Sequence, residues 1–236
     1  MLALLAALAI AASSWAIWRD YRTSSNPAER PALGLFTSLP IWWGESDSIA
    51  QMLAEPPKPH WAREWLEQRY RVAPLDTLGG DPLPQLLLIA QPRALAPQEN
   101  VALDNWVRHG GRVLLFADPM LTWHSRFAIG DKRRPQDVVL LSPILSRWGL
   151  ELRFDEGQTS SAREIAGLPV NLAGSLALTG NGHNANCRLF AEGLVAQCEI
   201  GKGRATIVAD AAMLEPEAAE AGQEALESLI NQAFDH

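Results

Sequence analysis

The stretch from Gln85 to Pro119, QLLLIAQPRALAPQENVALDNWVRHGGRVLLFADP, most constrains what this chain can fold into. Two continuous apolar runs, Leu86–Ala90 and Val113–Ala117, flank a segment of helical period. Such runs are expected of strands covered on both faces. Pro92 removes a ladder donor and ends the first strand. Pro97 and Glu99 suit the first turn of a helix. Val101, Leu103, Trp106 and Val107 follow at roughly helical spacing, and Gly110-Gly111 supplies the left-handed residue that ends it. Asp118-Pro119 breaks the second strand. A strand-helix-strand unit of this length implies parallel strands joined by a right-handed crossover. Open parallel sheets bind ligands at the carboxyl ends of their strands, which is where Gln91 and Asp118 fall.

The rest of the chain extends this plan. Ala32–Phe36 reads as a first strand with Thr37-Ser38-Leu39-Pro40 as its terminal loop. Ser46 or Asp47 caps a helix through Leu53. His60–Tyr70 is strongly helical, with Trp61, Trp65 and Leu66 on one side, and Arg71–Leu75 is a short strand. Val138–Trp148 reads as a helix interrupted by Pro143, followed by strands at Leu150–Phe154, Leu168–Leu172 and Leu176–Thr179. A hairpin around Glu192-Gly193 precedes a further apolar strand, Arg204–Ala209, and Glu224–Phe234 forms a closing helix. With 236 residues and no internal repeat, the expectation is one α/β domain over residues 31–236. It is Rossmann-like, with a mostly parallel sheet and a β-hairpin extension.

Residues 1–18, MLALLAALAIAASSWAIW, carry no charge. Their length is marginal for a transmembrane helix. A cleaved signal segment with small residues near Ala9-Ile10-Ala11 is the rival reading, and a buried helix a third. The missing basic n-region disfavours cleavage, and Trp15, Trp18 and Tyr21 resemble an interfacial aromatic belt, so an N-terminal anchor is expected, with residues 19–30 as linker. Arg19, Arg22 and Arg30 follow the segment and, taken alone, place the domain in the cytoplasm, as a scaffold facing that side. The cysteines point the other way. If Glu192-Gly193 is a two-residue turn, Cys187 and Cys198 face each other across the hairpin at a separation a disulfide spans. Disulfides persist in oxidising compartments, so the expectation is a single-pass inner-membrane protein with a periplasmic domain. Two buried thiols that happen to share a register remain the alternative.

A net charge of −7 argues against a nucleic-acid partner, since phosphate binding wants a basic surface. Nine tryptophans are spread along the chain and read as packing residues. There is no GxSxG or GxCxG, no P-loop and no GxGxxG, and the five histidines lack metal-ligand spacing, so no cofactor, metal or enzymatic activity is expected. Ser38, Glu45, Gln91, Asp118 and Asp210 form a polar strand-end set. With Trp42 and Trp43 they would suit a cleft for a small ligand such as a sugar or peptide. Strand ends carry polar caps in any α/β protein, and that reading stands beside it. Asp210 then caps Ala211–Leu214, and Asp118 closes a turn before Pro119. The enzymatic alternative is a metal-assisted hydrolase built on Asp118, Asp210 and His124, with Asp131 as a further ligand. It requires those carboxylates to converge in a concave pocket.

The run from Ala96-Pro97-Gln98-Glu99 through Gly110-Gly111 to Asp118-Pro119 resembles the accessory domain of gliding-motility-type ABC transport systems. It also resembles bacterial domains of unknown function that share the class I glutamine-amidotransferase-like fold. Gly201-Lys202-Gly203-Arg204 and the apolar run to Asp210 resemble the closing strand of the same group. The resemblance covers about Ala32–Leu214. It implies a three-layer amidotransferase-like domain without the catalytic cysteine, facing away from the cytoplasm beside an ABC transporter permease and ATPase. The chain departs from the group in being short and in having a single hydrophobic segment, at its N-terminus.

Overall fold

A computed structural model describes residues 30–46, 58–80 and 82–235. The N-terminal segment 1–18, most of the linker after it and the helix expected through Leu53 lie outside the described residues. Among the described residues, no helix is long and apolar enough to cross a membrane.

The expected strand-helix-strand unit is present. Strand β1 (Ala32–Thr37) is followed by helix α1 (Trp61–Arg69) and strand β2 (Arg71–Pro74). Strand β3 (Leu86–Ala90), helix α2 (Pro97–Arg108) and strand β4 (Arg112–Phe116) come next. Helix α3 (Ser142–Arg147) leads to β5 (Leu150–Arg153), β6 (Arg163–Ile165), β7 (Leu168–Val170) and β8 (Ser175–Leu178). Strands β9 (Ala185–Phe190), β10 (Val195–Ile200) and β11 (Gly203–Val208) precede helix α4 (Ala219–Phe234).

The main sheet has seven strands in the order β2-β1-β3-β4-β11-β10-β9. β2, β1, β3, β4 and β11 run parallel, while β10 and β9 are antiparallel. This is a Rossmann-like α/β arrangement, mostly parallel. The chain leaves β1 in one direction to reach β2 and returns on the other side to β3. With right-handed crossovers this puts α1 and α2 on opposite faces, and it makes the β1/β3 junction the topological switch point. α4 packs on β4, β11 and α1, and α2 packs on β11 and α3. The central strands are sealed by these layers: Leu87, Ile89, Leu114, Leu115, Ile207 and Val208 are fully buried.

Three expectations change. The helix expected over Val138–Trp148 begins only at Ser142. Pro143 occupies its first turn, where a proline ring is tolerated, and so opens the helix rather than interrupting it. The closing helix starts earlier, at Ala219, after short 3-10 turns at Ala212–Leu214 and Pro216–Ala218. The hairpin is no appendage, since β9 and β10 continue the main sheet beyond β11. Its connection is a four-residue loop, 191–194, rather than two residues, with Ala191, Glu192 and Gly193 at positive φ. Because the loop is longer by one residue on each side, the pairing is unchanged and Cys187 still lies opposite Cys198. The two are joined by a disulfide.

Two contacts fix how the helices meet the sheet. Gly203 starts β11 so close to α2 that a Cβ there would sit 2.0 Å from the Val107 carbonyl oxygen and 2.3 Å from that of Gly111. Asp104 on α2, 2% exposed, accepts from the Arg108 and Trp148 ring and guanidinium N–H groups at 3.0 Å, and also from Arg147. Burial alone would raise its pKa, but these donors outweigh burial and hold it below the ordinary value. This one carboxylate ties α2 to α3 and satisfies the indole of the fully buried Trp148. Asp104→Ala is expected to cost about 2–3 kcal/mol of unfolding free energy, since it orphans a buried donor and removes hydrogen bonds to a charged group. Urea denaturation with an unchanged m-value checks this.

Candidate functional site at the strand ends

The carboxyl ends of β1, β3, β4 and β11 carry the polar residues that the sequence marks. Gln91 follows β3 with φ +44° and is fully buried. Its side chain donates Nε2–H to the carbonyls of Asp118 (3.0 Å) and Gln136 (2.8 Å), and its Oε1 accepts from the Asp118 N–H at 3.0 Å. Its carbonyl accepts from both the N–H and the hydroxyl of Ser38. The Ser38 hydroxyl in turn accepts from the Gln136 N–H at 3.0 Å. A strap over residues 136–139 thus crosses the switch point, pinned further by the Val139 N–H to the Asp118 carbonyl at 3.1 Å and the Leu121 N–H to the Asp137 carbonyl at 2.9 Å.

Asp118 and Asp210 end the adjacent strands β4 and β11, and neither is exposed. Asp118 accepts from the N–H groups of Met120 (2.8 Å) and Ala211 (3.1 Å). Asp210 accepts from those of Ala212 (2.7 Å) and Asn171 (3.1 Å). Each therefore ties its own turn and a loop from elsewhere. Burial pushes the Asp118 carboxyl up to about 7, against its two N–H donors and with help from the Glu215 charge. Asp210 is raised well above its ordinary value, first by burial and then by the Asp118 charge. Glu215 is raised too, chiefly by burial, with the Thr122 hydroxyl and His124 opposing. Two interacting carboxyls in a buried site cannot both ionise cheaply.

The set does not form one cleft. Glu45 accepts from the Ser125 hydroxyl at 2.6 Å and the Arg126 N–H at 2.9 Å. Trp42 lies beneath the Arg63 guanidinium, 4.2 Å from its ring centroid, and its carbonyl accepts from Arg63 at 3.0 Å. Trp43 is 68% exposed. A crevice of about 280 Å³ opens beside the end of β1, and of the marked residues it gathers Ser38, Trp43 and Glu45. Gln91, Asp118 and Asp210 are not among its lining residues. Phe127 and Arg133 are, and neither sits at a strand end or in a motif that would mark it in the sequence. The Gln136 backbone could not be found from sequence at all, since it contributes no side chain.

For the metal-assisted alternative, the structure brings Asp118 and Asp210 together and sets His124 near Glu215. Asp131 instead pairs with Arg133 at 2.7 Å. Among the described residues, no group of three or more His, Cys, Asp or Glu side chains is arranged to hold a metal ion.

A carboxyl whose folded-state pKa is raised keeps a proton the unfolded chain has lost. Its stability contribution is therefore whole below the unfolded value near 3.8, and it is lost as pH rises through about 7. Unfolding free energy should fall between about pH 4 and 7, by up to about 1.4 kcal/mol per pH unit for each proton retained. Asp210→Asn removes one of the two charges and should flatten that slope. Denaturant unfolding at stepped pH measures it.

The architecture defines the class: a Rossmann-like α/β domain whose switch point is covered by its own strap. The family follows from comparison. Residues 30–166 match the family described as ABC-type uncharacterized transport system, more than half of the chain, and the protein belongs to that family, an ABC-transporter accessory family. No curated protein matches the chain. Solved structures similar to it include the exo-β-1,4-mannosidase Op5Man5 from Opitutaceae bacterium strain TAV5 (15% identity, TM-score 0.49, 88% of this chain and 36% of that chain). A β-galactosidase from Rahnella sp. R3 matches at 15% identity and TM-score 0.46, over 86% of this chain and 31% of that one. A ThuA-like protein from Parabacteroides merdae ATCC 43184 matches at 12% identity and TM-score 0.38, over 88% and 93%. The chain spans about a third of the length of the first two.

Proposed function

We propose that the chain is a non-catalytic accessory domain of a gliding-motility-type ABC transport system, with an amidotransferase-like fold that has no catalytic cysteine. Residues 1–18 tether it to the inner membrane, and residues 31–236 sit on the periplasmic side, where they bind the transporter's membrane subunits and a small ligand. The family match over residues 30–166 carries this reading. It spans β1 to β4, the strap over their ends and the exposed Trp43.

Two features support the finer points. The strand ends where an amidotransferase-type nucleophile would stand hold Gln91 and Asp118, and both are engaged by backbone groups of the chain itself. The Cys187–Cys198 disulfide favours an oxidising compartment over a cytoplasmic scaffold.

Affinity isolation of the tagged full-length chain from gently solubilised, crosslinked membranes is expected to recover an ABC permease together with its ATPase. Recovery of neither would sink the accessory role. Thiol labelling of protein from intact cells tests the compartment separately. Cys187 and Cys198 should label only after reduction, whereas free labelling on unfolding without reductant would turn the domain to the cytoplasm.

A further inference from the structure

The crevice beside β1 is lined by Thr37, Ser38, Trp43, Glu45, Phe127 and Arg133, among others. Three properties bear on what fits there. First, it presents a large flat apolar face to water: the Trp43 indole is 68% exposed, far more than the buried Trp65, Trp123 and Trp148. Exposed indoles offer stacking area at low entropic cost. Second, its lining carries one carboxylate and one guanidinium, each already engaged by other groups of the chain. Glu45 is held by Ser125 and the Arg126 N–H, and Arg133 is paired with Asp131 at 2.7 Å while its guanidinium lies 4.1 Å from the Phe127 ring centroid. Glu45 and Arg133 are of opposite sign, so the two together present no net charge to draw in an ion of either sign. Third, at about 280 Å³ the crevice is just below the range of about 300–1,000 Å³ typical of ligand pockets, so it has room for a small group and no more. A carboxylate and a guanidinium fixed by other bonds still offer lone pairs and N–H edges to hydroxyl groups without net charge.

We propose that this crevice binds one ring of a neutral saccharide, stacked on Trp43 with its hydroxyls directed to Glu45 and Arg133. It lies beside the strand-end switch point of the fold, where open α/β sheets place their ligands. The proposal deepens the ligand-binding part of the reading above and is independent of the transporter contact.

The test uses full-length protein labelled with 5-fluorotryptophan, with the Trp43 fluorine resonance assigned by its loss in Trp43→Phe. Titrations with chitotetraose, maltotetraose and cellotetraose are followed by fluorine NMR. At least one is expected to shift the Trp43 resonance saturably at millimolar concentration. Glu45→Gln should weaken that binding several-fold, and Trp43→Ala should abolish it as read by calorimetry. Both substitutions sit at partly or largely exposed positions, and unchanged thermal unfolding verifies that they fold. No shift with any of the three sugars, or a shift produced instead by a proline-rich peptide such as triproline, would overturn the proposal. Sugar binding without recovery of transporter subunits would leave this inference standing and remove the accessory role, and the reverse result would do the opposite.

Discussion

The strands β3, β4 and β11 end in the fully buried Gln91, Asp118 and Asp210, and every backbone amide buried there needs a partner. An unpaired one costs about as much as a lost hydrogen bond. The Gln91 side chain answers that demand for three segments at once, bridging the ends of β3 and β4 and the strap at Gln136. A primary amide suits the task because it donates and accepts from one planar group. Asp118 and Asp210 continue the scheme with acceptors alone, each collecting two N–H groups. The strap lies over the switch point because these groups hold it, and the crevice beside β1 is what this closure leaves open.

The same polar economy appears away from the strand ends. Glu99 accepts from Arg93 through both oxygens at 2.8 Å, and also from the N–H groups of Ala96 and Leu78 and the Thr77 hydroxyl. The Arg93 bonds, ahead of the opposing effect of burial, bring its carboxyl down to about 2. Glu99 thus caps α2 and anchors the loop between β2 and β3. Asp104 does the equivalent at the other end of the same helix. The buried carboxylates near guanidinium groups stay charged, and the two without one, Asp118 and Asp210, are pushed toward neutrality. Environment, not residue type, separates the two pairs.

Much of this fold was legible in the sequence because its signals are local. The apolar runs at Leu86 and Val113, Pro97 at the start of α2 and Gly110 at its end each act over a few residues. The symmetric placement of Cys187 and Cys198 about Glu192-Gly193 survived a longer loop because the extra residues were added evenly. Pro143 misled because a proline within an apolar run reads equally as a kink or as a first turn, and only the non-helical path of residues 138–141 decides. The candidate site was less legible. Residue type correctly marked Gln91, Asp118 and Asp210 as polar strand ends, but not that their partners are backbone groups from distant loops. The contributions of Asn171 and Gln136 are main-chain atoms, to which sequence patterns are blind, and Phe127 and Arg133 carry no strand-end position or motif.

The sheet order has a consequence for how the chain is made. β4 takes its second neighbour, β11, only after residues 117–202 have been synthesised. At about 5–20 residues per second, its free edge waits several seconds for that partner. An apolar strand with an open edge is the kind of surface that pairs with the wrong chain. Some other element of the nascent protein, or a chaperone, has to shield it in the interval. The antiparallel β9–β10 hairpin, which emerges immediately before β11, can hand that strand over already paired on one side.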